Sequence, residues 1–228
     1  YNAHVIVGQK QPAFIGTPAS QWNADQWGLY EDYATKFVRY VAVQYGDTGF
    51  GETLFEVGNE IDITQDVRDL WSMANPAVPQ GDEGRYQHYM RVYAVWARAV
   101  ARVASENPGR TIRIGGPALG GQSLFLSTTF WHERFIADAA ANGLRLDVVT
   151  HHFYGDVLNG WLDVPGSDLR SQLQRIRRAL VASGMASVPI AITEYGPSEG
   201  SDSVFGHINY SHEGAAWAAT FVREALAG

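Results

Sequence analysis

The chain contains no cysteine, which excludes disulfides, thiolate metal sites and a cysteine nucleophile while leaving the redox compartment open. Positive charge is scarce. With 17 Lys+Arg against 24 Asp+Glu the net charge is -7, so no basic field is offered to phosphate backbones or anionic lipid, and neither nucleic acid nor a membrane surface is an expected partner. No run of about 20 apolar residues and no secretory leader pattern occurs, so the expectation is a soluble chain, secreted or cytoplasmic. The missing initiator Met at Tyr1 raises the expectation of a processed, trimmed or incomplete chain. Gly115-Gly116 and Gly120-Gly121 lack the GxGxxG spacing of a nucleotide loop. Gly-x-Ser-x-Gly is absent, which disfavours a serine hydrolase.

What is present is a 228-residue chain with 46% hydrophobic residues, enough to bury a sizeable core. Without low-complexity linkers or a fixed-period repeat, one domain over residues 1–228 is the simplest account. Short β-rich runs alternate with helical patterns from end to end, the signature of an α/β fold with a parallel sheet. The strand candidates are His4 to Val7, Thr53 to Val57, Thr111 to Ile114, Leu146 to Thr150 and Val188 to Thr193. Helical spacing runs from an Asn23 cap to a Gly46 stop, over Tyr86 to Ala104 and Trp131 to Ala141, after a Ser167 cap, and after a Ser211 cap. Gly115-Gly116-Pro117 reads as a tight strand exit. Five strand-helix units fall short of the eight in a complete barrel, which takes about 250 residues.

In parallel α/β folds the strand C-termini and the loops after them carry the chemistry. Gly58-Asn59-Glu60 follows the second strand, His151-His152-Phe153-Tyr154 the fourth, and Glu194-Tyr195-Gly196 ends the fifth. Two carboxylates thus converge on one face of one sheet. Such a pair can serve glycoside hydrolysis, one group as acid and the other as nucleophile or base. His151 and His152 are adjacent on a strand, point to opposite faces, and so do not suit one metal ion. No metal and no cofactor is expected. Trp22, Trp27, Trp71, Trp131 and Trp161 lie in or near loops, where an indole serves as a sugar platform or as packing.

These residues resemble a known family. Phe55-Glu-Val-Gly-Asn59-Glu60 is similar to the fourth-strand Asn-Glu motif of the retaining glycoside hydrolases of clan A, and Ile192-Thr193-Glu194-Tyr195 to their seventh-strand nucleophile motif. Ile114-Gly-Gly-Pro117-Ala118, followed by Leu146 through His152 to Tyr154, resembles strands five and six of family 39, the β-xylosidase type. The resemblance implies an incomplete (β/α)8 TIM-barrel without its first two strands and its last. It implies a retaining β-glycosidase acting on oligo- or polysaccharides, with Glu60 as acid/base and Glu194 as nucleophile. Asn59 would hydrogen-bond the sugar 2-hydroxyl, Tyr154 would orient or polarise Glu194, and His152 and His151 would line the sugar site; of the loop indoles, Trp161 is the candidate sugar platform. An open five-stranded sheet leaves apolar surface uncovered, so a fragment of a larger product or a homo-oligomer is expected. The second functional reading is a glycan-binding remnant with little or no turnover.

Overall fold

The structure, a computed structural model, describes residues 2–8, 12, 14–15, 19–45, 51–62, 81–120, 131–154, 168–197 and 212–227. Five strands, β1 (Asn2–Val7), β2 (Glu52–Val57), β3 (Thr111–Leu119), β4 (Val148–Tyr154) and β5 (Ile190–Gly196), form one sheet in the order β1-β2-β3-β4-β5. Every neighbouring pair is parallel. The helices are α1 (Ala24–Arg39), α2 (Gly81–Glu106), α3 (Trp131–Ala141), α4 (Leu169–Ala182) and α5 (His212–Ala227). The alternation and sequential strand order make this a half-barrel of TIM type, as the sequence predicts.

Local signals explain the first unit. The Asn23 side chain accepts from the Asp25 and Gln26 amides while the Gln26 side chain accepts from the Asn23 amide, a reciprocal capping box. Trp27, Tyr30, Ala34 and Val38 then fall on one buried stripe, where Trp96 Nε1 of α2 donates to Tyr30 Oη at 2.9 Å. The chain continues as a π-helical turn, Tyr40–Tyr45. The Gly46 stop and the Ser211 cap lie outside the described residues. The Ser167 cap is corrected to Asp168, whose carboxylate accepts from the Ser171 amide at 2.9 Å.

Strand ends differ from the sequence-based expectation in one direction. β3 does not stop at Ile114 but continues through Gly115-Gly116-Pro117 to Leu119, β4 runs to Tyr154 and β5 to Gly196. The glycines are needed by the two faces of the sheet rather than by a turn. A Cβ on Gly115 would stand 2.5 Å from Val148 Cγ1 on the open face, and one on Gly116 would strike Tyr89 Oη of α2. Neighbouring strand residues face opposite sides, so each glycine lets a different layer approach. The core lies between sheet and helices, around Phe55, Val57, Ile114, Tyr93, Trp96 and Phe135. Trp22, Trp27 and Trp131 are buried there.

Candidate active site

The segment after β2 is pinned at four points. Gly58 turns the chain at φ +88° and its N–H donates to Val7 O at 2.9 Å. Glu60 also lies in the left-handed region, at φ +47°, a conformation that costs a non-glycine residue roughly 1–2 kcal/mol and persists only where surroundings impose it. Here they do. The Glu60 N–H donates to Ala118 O at 2.8 Å, Arg85 of α2 donates to Ile61 O, and Asp62 Oδ1 accepts from Gly120 N–H at 2.9 Å. Asp62 thereby ties this segment to the end of β3.

Two irregularities in the ladder set the rest of the site. Between β3 and β4 the register passes from Pro117↔Thr150 to Leu119↔His151, which leaves Ala118 as an extra residue at φ +51°. Between β4 and β5 it passes from His151↔Ile192 to His152↔Glu194, which leaves Thr193 extra. A bulge bends its strand and re-aims the side chains beside it. The first bulge offers Ala118 O to Glu60, and the second puts Glu194 level with His152.

The outcome is a compact polar group. His152, fully buried, places Nδ1 3.1 Å from Glu60 Oε1 and 3.5 Å from Glu194 Oε2. Tyr154 Oη donates to Glu194 Oε2 at 3.1 Å. Glu60 and Glu194 are partly open, at 22% and 36% side-chain exposure, so both face solvent on one side and a buried imidazole on the other. One carboxylate oxygen from each and one imidazole nitrogen all lie within 4.8 Å of one another. Among the described residues no Lys or Arg forms an ion pair with either carboxylate. Asn59 Oδ1, beside Glu60 in sequence, is buried without a hydrogen-bond partner among the described residues.

Of the candidates, the structure brings together Glu60, His152, Tyr154 and Glu194. His151 is not among them: it faces the helical layer, where its Nε2 meets Gln172 Oε1 of α4 and its ring packs edge-on against His132 of α3. Burial holds the His151 imidazole down at about 4. Trp161 and Trp71 lie outside the described residues. A separate groove of about 710 Å³ along α2, flanked by Trp27 of α1 and Leu144 after α3 and with His88 and Arg91 in its wall, carries no carboxylate pair.

Glu56 is the residue that sequence reasoning missed. It is fully buried on the open face of β2, paired with His4 Nε2 of β1 at 3.3 Å. Burial pushes its carboxyl upward, yet His4 and the Thr193 and Thr150 hydroxyls beside it outweigh that, and it sits below the ordinary carboxylate range. Those hydroxyls face the carboxylate without reaching hydrogen-bond geometry. The neighbouring Glu56 carboxylate in turn raises His4. The available signal was register: Glu56 lies four residues before Glu60, on the face that period-two alternation turns inward.

No protein-family model matches the chain. A curated β-xylosidase of Geobacillus stearothermophilus is 27% identical over 217 residues, 91% of this chain and 36% of that protein. The structure of a family 39 β-xylosidase from Caulobacter crescentus superposes with a TM-score of 0.59 at 26% identity, over 87% of this chain and 36% of that one. The likeness is to family 39 β-xylosidases. A glucosidase from Croceicoccus marinus, TM-score 0.54 and 21% identity over 78% of this chain and 32% of that one, shares the fold. The chain spans about a third of the length of the β-xylosidases it matches.

Proposed function

We propose that the chain is the catalytic part of a retaining β-glycosidase with β-xylosides as its substrate class. The observation that carries this is the approach of the Glu60 and Glu194 carboxylate oxygens to within 4.8 Å. Retaining enzymes hold their carboxyl groups about 5–5.5 Å apart, and so short an approach of the nearer oxygens favours that class over the inverting one, which needs about 6.5–9.5 Å to admit a water. Glu60 protonates the leaving oxygen while Glu194 attacks the anomeric carbon, giving a covalent glycosyl-enzyme. Water then attacks that carbon as Glu60 takes its proton. The Tyr154 hydroxyl holds Glu194 Oε2, the His152 imidazole reaches both carboxylates, and Asn59 Oδ1, without a partner among the described residues, suits a sugar hydroxyl donor. No metal or cofactor enters this chemistry.

The test is turnover of aryl β-glycosides by the chain beside Glu194→Ala, with azide added to the variant. Turnover in the parent, loss in the variant and rescue as an inverted glycosyl azide are expected. Turnover that survives Glu194→Ala refutes the assignment. The five-stranded sheet among the described residues, short of a closed eight-stranded barrel, favours a second reading, a glycan-binding chain without turnover. Saccharide binding by an inactive parent distinguishes it.

A further inference from the structure

The geometry points to a second capacity of the same residues: we propose that Glu60, His152 and Glu194 form a binding site for a divalent cation of the zinc class, which excludes sugar while it is bound. The argument begins with ligand spacing. Zinc bonds of about 2.0–2.1 Å, arranged tetrahedrally, put neighbouring ligand atoms about 3.4 Å apart. His152 Nδ1 stands 3.1 Å from Glu60 Oε1 and 3.5 Å from Glu194 Oε2. Two edges of a tetrahedral face are therefore preformed. The third joins the carboxylates, whose nearer oxygens lie within 4.8 Å. Both are partly exposed, so rotation of either side chain closes that edge without disturbing the core.

Charge and rigidity favour the same ligand. Two carboxylates meet over one imidazole with no Lys or Arg paired to them among the described residues, an arrangement that a dication neutralises. The imidazole is wholly buried on a strand, so the nitrogen ligand is held in place before any ion arrives. A nitrogen donor selects against Mg2+ and Ca2+, which take oxygen shells, and for Zn2+, Co2+, Ni2+ or Cu2+. Three protein ligands leave the fourth position to water. A bound cation would occupy the carboxylate oxygens that glycoside hydrolysis uses, so metal and substrate would compete.

Titration of the metal-free 228-residue chain with Co2+, read by the visible d–d bands of four-coordinate cobalt, tests the site without any turnover. Saturation at one ion per chain and displacement by Zn2+ are expected. Loss of an outer-shell partner already weakens metal sites about tenfold to a hundredfold, so His152→Ala should weaken binding by at least about tenfold. Because His152 is buried, Glu194→Gln provides the same test at a partly exposed ligand, with circular dichroism reporting the fold of each variant. No saturable cobalt spectrum in the parent, or unchanged affinity in the folded variants, overturns the site. The metal is read directly, so its absence would leave the glycosidase reading standing, and absence of turnover would leave the metal result standing.

Discussion

Acid is the perturbation to which this fold should respond most clearly, because three imidazoles are packed into its helical layer. His151 is pushed down to about 4 by burial, His88 to about 4 by burial and by the Arg91 charge, and His132 well below its ordinary value by burial and by His151. The unfolded chain takes a proton on each near 6.5, whereas the native state refuses it until far lower pH. Their stabilising contribution is thus complete above that value and is lost as pH falls toward the folded one. Each site loses about 1.4 kcal/mol per pH unit in between, so at about pH 5 His151 and His88 have each removed about 2 kcal/mol. Their sum of about 4 kcal/mol is a large share of the roughly 5–15 kcal/mol that holds a domain folded. His4 works the other way, since its value is raised and its contribution is kept in acid and lost as pH rises. It is 40% exposed on its side chain, and solvent screening leaves it the smaller effect. Urea midpoints between about pH 7.5 and pH 5, at constant m-value, should fall steadily, and His151→Gln should make the fall shallower. A midpoint that stays level or rises over that interval would refute the burial of these rings.

Gly116→Ala drives a methyl into Tyr89 Oη of α2 and should destabilise by about 1–3 kcal/mol in chemical denaturation; an unchanged midpoint refutes that packing. Asp62→Ala removes the acceptor of the Gly120 amide and should cost about 1 kcal/mol, with faster amide exchange at Gly120 as the specific readout. Where the chain turns over glycosides, Tyr154→Phe removes the donor to Glu194. It should lower kcat about tenfold to a thousandfold while KM moves little, the pattern of an interaction made in the transition state. A second copy of the chain that covers Val222 and Leu226, 53% and 85% exposed on α5, would bury that apolar surface. Light scattering should then show a mass that grows with concentration and returns to the monomer value in Leu226→Glu.

What the sequence determined by itself was whatever depends on neighbours in the chain. Apolar periodicity set the strand-helix alternation, the Asn23 cap follows from side-chain chemistry three residues apart, and Glu60 and Glu194 declared themselves by standing where strands end. Tertiary structure decided what depends on pairing between strands. The extra residues Ala118 and Thr193 shift the register by one, and in a period-two element one position decides which layer a side chain enters. No local pattern reports such a shift. It brings His152 level with Glu194 while His151 faces the helices. Burial, likewise a property of the assembled sheet, turned Glu56 from one letter of a motif into a charge held by His4 beneath the candidate site.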